Sequence, residues 1–344
     1  MNGKKGITTR VRGQSLLVIV VSWLAWLNPC FADLDVSRPA PESGGPTEVE
    51  VSVFLVDIDE INSAEQTFTV NLYYDLSWKD PRLTHASAGV RRYSLGSVWS
   101  PNVQLVNQQK LWDTMPTVVE VQRDGTVTYR QRAWGAFSQR LDLRAFPFDT
   151  QQFDIVFGAV ESPTSEVAFV QSPLRPTGVA QILSLQDWTL DSWKVGAGVY
   201  EPIPGDTGTS AWTFSFVASR ESNYYISKVI LPLLMILIMA TSVFWIDPEE
   251  GGVQIGVASS AMLTLIAYRF AIGTDLPKIP YLTRMDIFIL VSTVMVAVGL
   301  VEVVTTSHLA KTGRTATARR IDVVMRWSFP ILVVLVGLLS FLWQ

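Results

Sequence analysis

Six residues in the second of four long apolar segments recur at alternating spacings of four and three. They are Gly256, Ser260, Leu263, Ala267, Phe270 and Thr274. Such spacings keep side chains on one face of a helix, so this stripe is small and polar at one end and has bulky apolar groups further along. Copies of such a helix arranged around an axis would line a pore in which hydroxyl groups meet a partly hydrated ion and apolar rings close the passage by dewetting. An ordinary helix packed through small residues is the alternative.

Residue sets for catalysis or metal binding are not apparent in the sequence. There is no glycine-rich phosphate loop and no cluster of metal-ligand residues, and the two histidines, His85 and His308, leave little for a catalytic triad. The single cysteine, Cys30, lies in a segment that we expect to be removed, so no thiolate nucleophile remains. We therefore predict no enzyme activity, no cofactor and no metal site.

The first 32 residues have the pattern of an export signal. A leader with four Lys and Arg residues precedes an apolar run at 15–27, and small residues at Cys30 and Ala32 predict cleavage after Ala32. An uncleaved anchor helix is the alternative. Cleavage lowers the number of basic residues from 27 by four, to 23, against 31 acidic residues. This acidic balance argues against nucleic acid as a partner.

Residues 33–222 and 223–344 differ in their hydrophobic patterns. From residue 48 to 222, apolar side chains alternate with others over many short runs, which predicts an all-β immunoglobulin-like sandwich. Four apolar segments follow, and each is long enough to cross a bilayer as a helix. We expect these helices, in contact with membrane lipid, at about 225–246, 253–272, 286–306 and 321–343.

Charged residues between the apolar segments predict the orientation. The connection between the third and fourth segments contains Lys311, Arg314, Arg319 and Arg320. Because short basic loops stay in the cytoplasm, the β domain is expected on the outer side of the membrane. The connection at 247–252 must then also be cytoplasmic, although it is acidic.

Five short strings, in this order of elements, resemble the bacterial pentameric ligand-gated ion channels, the branch of the Cys-loop receptor superfamily without the disulfide. The strings are WSPN at 99–102, FPFD at 146–149, SR at 219–220, ILP at 230–232 and LPKIPY at 276–281. The two cysteines of animal receptors would fall at Gln139 and Phe153, and their absence fits the bacterial branch. The resemblance implies a ring-shaped homopentamer in the bacterial inner membrane, with its N-terminal domain in the periplasm.

For permeant ions, the resemblance implies a selectivity ring at the cytoplasmic end of the second helix. Glu249 and Glu250 are the candidates, since a carboxylate ring raises the local concentration of cations. The length of this region and Gly256 are closer to the anion-selective animal branch, which has a basic residue near the position of Gln254. We expect a cation-selective channel; an anion-selective channel and a non-conducting membrane-anchored receptor are the alternatives.

The resemblance also implies a joint at which the sandwich transmits ligand binding to the pore. The candidate residues are Asp59, Glu60, Phe148, Asp149, Arg220, Pro277, Lys278 and Pro280. We expect Arg220 and Asp149 to form a buried pair with two parallel hydrogen bonds. The two prolines would stiffen the loop at 276–281.

Agonists of the family bind between adjacent sandwiches in an aromatic pocket, which suits cationic amines. By position, the candidates are Tyr73, Glu161, Tyr200 and Trp212, and a packing role is the alternative for each aromatic residue. Val106 and Val160 replace a tyrosine and a tryptophan of the animal pocket, so the aromatic cage is incomplete. Either a small-molecule agonist, such as an amine, or protons acting on Asp and Glu clusters would open the channel.

Overall fold

The computed structural model describes residues 45–203, 205, 208–273 and 279–342. The predicted signal peptide at residues 1–32, Thr274, Pro277 and Lys278 therefore lie outside the described residues.

Twelve strands form the described part of the N-terminal domain. They are β1 Thr47–Asn62, β2 Thr67–Lys79, β3 Arg91–Ser94, β4 Val103–Leu105, β5 Gln108–Asp113, β6 Val118–Val121, β7 Thr126–Ser138, β8 Thr150–Pro163, β9 Val167–Gln171, β10 Gly178–Val179, β11 Trp188–Tyr200 and β12 Thr209–Arg220. One sheet has the order β10-β1-β2-β7-β6-β3, with β5 also paired to β7 and β9 to β1, and the other has the order β11-β12-β8-β4. Apart from the parallel pairs that β1 makes with β9 and β10, neighbouring strands are antiparallel.

The two sheets pack face to face over an aromatic core. Phe68 of β2 contacts Phe153 of β8 with ring centroids 5.3 Å apart, and Phe153 stacks on Phe216 of β12 at 5.0 Å. All three side chains are completely buried. Because successive side chains of a strand point to opposite faces, the alternating runs in the sequence place one apolar row of each strand in this core. The predicted sandwich is confirmed.

Four helices that are long and apolar enough to cross a membrane follow. They are α1 Asn223–Trp245, α2 Gly251–Ile272, α3 Arg284–Lys311 and α4 Thr315–Leu342. α1 contains a π-helical stretch at Ile226–Ile230 just before Pro232, whose missing N–H interrupts the regular hydrogen-bond pattern. A 3-10 turn at Pro248–Glu250 connects α1 to α2.

α3 and α4 are longer than the sequence predicts. Hydrophobicity ends near residue 306 in α3 and begins near 321 in α4, but the helical backbone continues to Lys311 and starts again at Thr315. Lys311, Arg319 and Arg320 therefore lie on helices rather than in a connecting loop. A capping box between Thr283 and Asp286 sets the start of α3, two residues earlier than expected.

α2 packs closely on α3 at its first residue. A Cβ atom added to Gly251 would overlap the Ser307 side chain, so the two helices can approach this closely only with a glycine here. The buried face of α2 consists of Gly251, Gln254, Ala258, Ala261, Leu265 and Ile272.

Candidate pore face and gating joint

The stripe predicted on α2 is an exposed face of this helix. Leu263 is 68% exposed and Phe270 is 80% exposed. Gly256, Ser260 and Ala267 are exposed as well, whereas the residues between them on the buried face pack against the other helices. The protomer thus presents the five described residues of the stripe to a space that it does not fill itself.

Hydroxyl groups on α2 bond to the helix backbone. The hydroxyl of Ser260 donates to the carbonyl of Gly256 at 2.8 Å, and the hydroxyl of Thr264 donates to the carbonyl of Ser260 at 2.8 Å. A hydroxyl oxygen keeps acceptor lone pairs after it donates its hydrogen. Ser260 can therefore still offer an oxygen to a cation, while Leu263 and Phe270 offer only apolar surface.

The acidic turn before α2 is partly neutralised by α4. Arg319 lies 2.7 Å from the carboxylate of Asp247 and 3.2 Å from that of Glu249. Asp247 also accepts a hydrogen bond from the backbone amide of Glu249 at 3.0 Å. Glu250 is exposed and has no ion pair among the described residues. Of the two predicted selectivity residues, Glu250 is therefore the one whose charge is not compensated by a neighbouring cation.

The predicted pair of Arg220 and Asp149 is present at the base of the sandwich. Arg220 Nε and Asp149 Oδ1 are 2.8 Å apart, and Arg220 Nη2 donates to Asp149 Oδ2 at 3.2 Å. The side chains are 4% and 2% exposed. Arg220 Nη2 also donates to Ser63 at 2.8 Å, and the guanidinium carbon lies 4.1 Å from the ring centre of Trp188. This arrangement is the buried two-bond geometry that the sequence predicts.

The segment that contains Asp149 touches two helices. Phe146 contacts Tyr225 of α1 with ring centroids 4.7 Å apart. Phe148 contacts Phe341 near the end of α4 at 5.5 Å. Phe148, a predicted coupling residue, therefore connects the sandwich to the last helix.

A second connection between the domains involves the loop at 276–281, as expected, but its residues were not among the predicted candidates. The backbone amide of Leu143 donates to the Tyr281 hydroxyl at 3.0 Å, and the Arg144 guanidinium lies 5.2 Å from the Tyr281 ring centre. The amide of Arg284, at the start of α3, donates to the Arg144 carbonyl at 3.0 Å. Tyr281 is the last residue of the LPKIPY string, which was the available signal.

Two predicted coupling residues, Asp59 and Glu60, lie in the first hairpin, which β1 and β2 form. Asp59 is on β1 and accepts a 2.6 Å hydrogen bond from the indole of Trp134 on β7, and Glu60 accepts one from Asn62 at 3.2 Å. Neither has a hydrogen bond or ion pair to a helix among the described residues. Both residues lie on strand β1, which continues to Asn62, and their role in coupling stays a prediction. Pro280 is described and exposed.

The four predicted ligand residues divide between the two sheets. Tyr73 is on β2 and is 39% exposed, with the Arg132 guanidinium 5.3 Å from its ring centre. Glu161 on β8 is exposed and Tyr200 on β11 is half-buried. Tyr73 is thus on the sheet opposite to the others, so no pocket of a single protomer unites the four residues.

Trp212 does not agree with a role in a surface pocket. It is 1% exposed and its ring contacts Phe157 at 5.7 Å inside the sandwich. Trp212 shares the inward face of β12 with Phe214 and Phe216, which follow at a spacing of two. The physical reason is therefore strand alternation, which assigns this tryptophan to the core.

Tyr73 lines a cleft of about 290 Å³ that contains two arginines. Arg130 Nε lies 2.8 Å from Asp75 Oδ1, and Arg175 Nη1 lies 2.9 Å from Asp75 Oδ2. Two guanidinium groups around one carboxylate leave a net positive charge. The cleft therefore attracts an anionic group and repels an ammonium group.

Carboxyl groups of the sandwich differ in their readiness to take up a proton. Desolvation by neighbouring groups raises the pKa of Asp113 on β5 above its ordinary value, although the residue is exposed to solvent. Burial opposes ionisation of Asp57 as well, but hydrogen bonds from Ser184 and from the Ile58 amide outweigh it and lower the pKa of Asp57. Asp113 is therefore the described carboxyl of this domain in which a raised pKa favours proton uptake.

Comparisons with known proteins agree with this architecture. The family model of the neurotransmitter-gated ion-channel ligand binding domain matches residues 34–207, and that of the neurotransmitter-gated ion-channel transmembrane region matches residues 229–317. A proton-gated ion channel of Gloeobacter violaceus is 28% identical over 328 residues, which cover 94% of this chain and 90% of that protein. The gamma-aminobutyric acid receptor subunit alpha-2 of Rattus norvegicus is 25% identical over 280 residues, covering 78% of this chain but 61% of the subunit.

Proposed function

Because the chain belongs to the family of neurotransmitter-gated ion channels, we propose that it forms a homopentamer whose five α2 helices line a cation-conducting pore. The family consists of ligand-gated ion channels, which are not enzymes. The chain is a multi-pass membrane protein with an extracellular β domain. Predicted cleavage at Ala32 and the basic residues around the α3–α4 connection support a bacterial inner membrane with the β domain in the periplasm.

The exposed stripe of α2 is the observation on which the pore depends most. Leu263 and Phe270 are large apolar side chains that are mostly exposed, although α2 has a buried face towards the other helices. In a ring of five protomers, this exposed face meets its own copies around the axis. Ser260 then supplies a ring of hydroxyls, and Leu263 and Phe270 supply apolar constrictions.

Glu250 is the main selectivity residue in this proposal. Its carboxylate has no described cationic partner, whereas Glu249 is within 3.2 Å of Arg319. Five uncompensated carboxylates at one mouth of a pore raise the local concentration of cations. The anion-selective alternative is supported by Gly256 and by the length of the turn before α2, and the reversal potential in asymmetric salt distinguishes the two.

Gating in this proposal passes through the buried Arg220–Asp149 pair and the contacts beside it. Phe148 on Phe341 and Arg144 on Tyr281 connect the same base of the sandwich to α4 and to the loop before α3. A rearrangement of the sandwich therefore has defined points at which it acts on the helices.

The agonist is a proton or a small molecule that binds between sandwiches at the Tyr73 cleft. The raised pKa of Asp113 and the proton-gated relative support protons. For a small molecule, the two arginines of the cleft favour a carboxylate over the amine that an aromatic pocket would favour.

Recording from the purified protein in planar bilayers tests the proposal. A series of pH steps and a panel of amines and carboxylates should elicit currents, and the reversal potential in asymmetric salt should follow the cation gradient. In Glu250→Gln the reversal potential should move towards zero, and in Glu166→Gln, which changes an exposed carboxylate far from α2, it should not. Wild-type currents that reverse at the equilibrium potential of the anion would overturn cation selectivity. The absence of current under every condition would overturn the proposal that the protein is a channel.

A further inference from the structure

Three polar side chains meet where α2, α3 and α4 pack together: Gln254, Glu302 and Asp322, here called the carboxyl cluster. Gln254 is completely buried and Asp322 is 2% exposed. The Gln254 amide nitrogen lies 3.2 Å from Asp322 Oδ2 and 3.0 Å from the carbonyl oxygen of Ile246. The side chains of Glu302 and Asp322 are within hydrogen-bonding reach of each other. Two acidic groups are thus in contact inside the helical bundle.

The carboxyl cluster has fewer hydrogen-bond donors than acceptors. Both carboxyl oxygens of Glu302, Oδ1 of Asp322 and Oε1 of Gln254 are fully buried and have no donor among the described residues. Buried polar atoms nearly always have a hydrogen-bond partner, and an unmet one is costly in a membrane interior. Four unpaired acceptors in one place therefore require at least one additional hydrogen that one of these groups can donate.

Neighbouring cationic groups do not supply this donor. Arg326 on α4 is the nearby cation, but its guanidinium donates to the Phe244 carbonyl at 2.9 and 3.1 Å and faces the Trp245 ring. Arg319 is bound to Asp247 and Glu249. Neither Glu302 nor Asp322 has an ion pair among the described residues.

The Thr306 hydroxyl on α3 has a single hydrogen, so it cannot supply donors to the whole cluster. The Thr306 hydroxyl lies beside Asp322 but points to the backbone carbonyls of Val303 and Glu302, at 3.1 and 3.2 Å. The other acidic groups nearby, in the turn at Pro248–Glu250, are exposed and only accept hydrogen bonds. Two adjacent carboxylates in a medium of low polarity cannot both remain ionised without a large repulsive cost.

We propose that Glu302 and Asp322 share one proton and form a proton-binding site inside the membrane domain, and that α2 senses the state of this site through Gln254. With one proton bound, one carboxyl group donates its O–H to the other, and the pair has a single negative charge. Loss of the proton to water leaves two negative charges side by side, and gain of a second proton leaves none.

The proton state acts on α2 because Gln254 is bonded to Asp322. A change in the charge of Asp322 changes the strength of that hydrogen bond, and Gln254 lies near the start of α2, four residues after Glu250. This effect on ion flow rests on the proposed function, whereas the existence of the shared proton does not.

Infrared spectroscopy of the purified protein in lipid tests the shared proton without any current. At neutral pH, where exposed carboxylates are ionised, the wild type should show the carbonyl stretch of a protonated carboxyl group. The double variant Glu302→Gln/Asp322→Asn should lose this band and Glu166→Gln should keep it. If the double variant does not assemble, either single variant serves, because its new amide N–H replaces the proton and the band should again be lost. A band of unchanged intensity in these variants would overturn the site. A wild-type band that appears only after sodium and potassium are removed would also overturn it, because a metal cation would then occupy the place of the proton.

Bilayer recording with the pH varied on the cytoplasmic side tests the effect on α2. Asp322→Asn should shift the half-activating proton concentration by about fivefold or more, while Glu166→Gln should not shift it. Loss of the infrared band without any shift would overturn the role of Gln254. A wild type that passes no current would instead contradict the proposed function, and the infrared result would still decide the proton site.

Discussion

Arg220 is a residue for which charge, shape and surroundings all matter. Its guanidinium is held by two bonds to Asp149, by Ser63 and by the ring faces of Trp188 and Phe146. A planar guanidinium fits this arrangement and a lysine ammonium does not. Removal of the arginine would also leave Asp149 buried and unpaired, which is usually more costly than the pair itself is stabilising.

Arg220→Ala should therefore destabilise the assembled protein by about 3 kcal/mol and impair opening. The melting temperature of the purified protein measures the first effect and the agonist response measures the second. Arg140→Ala removes an exposed arginine from the segment before the FPFD string and should change neither. Equal behaviour of the two variants would show that the buried pair is unimportant.

At the scale of elements, α2 combines a buried face, which packs against the other helices, with an exposed face that has both small and large residues. Leu263 and Phe270 are the large apolar members of the exposed face. An apolar ring closes a narrow passage because water leaves it readily, and a hydroxyl at the same place keeps water in. Gating should thus respond strongly to the polarity of this one face.

Leu263→Ser should make the channel open at lower agonist concentration and raise its resting current. Ile266→Ser makes a similar change in the next turn of α2, at a residue that is 40% exposed but off the stripe. Concentration–response curves of the two variants compare them. If Ile266→Ser eased opening and Leu263→Ser did not, the stripe would have been assigned to the wrong face.

The contact between α4 and the acidic turn gives a second prediction at this scale. Arg319→Gln should free the carboxylates of Asp247 and Glu249, make the mouth more negative and increase cation conductance. Arg320→Gln removes the adjacent exposed arginine, which has no ion pair among the described residues. Single-channel conductance at low salt, where charges are least screened, should rise more in Arg319→Gln; an equal rise would indicate a general charge effect.

At the scale of the whole molecule, stability depends on pH through carboxylates that the fold holds in the ionised form. Asp57 Oδ1 accepts hydrogen bonds from the amides of Ser184 at 2.7 Å and Ile58 at 2.9 Å, and these lower its pKa against the opposing effect of burial. A pKa that is lower in the folded state means that ionised Asp57 stabilises the fold above its ordinary pKa. This contribution is lost as pH falls through the folded-state value.

Asp57→Asn should consequently melt at a lower temperature than the wild type at pH 6 to 8, and the difference should close below about pH 4. Glu166→Gln provides the control, because its exposed side chain has no hydrogen bond or ion pair among the described residues. Melting curves of the purified protein across this pH range measure both. A deficit in Asp57→Asn that persisted undiminished in acid would contradict the role of the ionised carboxylate.

The sequence predicts those features that depend on local periodicity. The strands, the four helices, the face of α2 and the Arg220–Asp149 pair follow from residue spacing or from strings of a known order. For Trp212, the buried side chain agrees with the packing alternative, which strand alternation favours over a ligand contact assigned by position. The carboxyl cluster was missed because Gln254, Glu302 and Asp322 lie on three different helices, and only tertiary packing brings them together.

α4 is attached to the rest of the protein close to both of its ends. Arg319 holds one end to the acidic turn and Phe341 holds the other to Phe148 of the sandwich. With 28 residues, α4 is about 42 Å long, compared with about 30 Å for the hydrocarbon layer of a bilayer. Because both ends make contacts, we expect a thinner or thicker bilayer to be matched by tilt of α4 or by local deformation of the bilayer. We expect such a tilt to act on the sandwich through Phe148, so that lipid chain length becomes a mechanical input to the joint that we propose for the agonist signal.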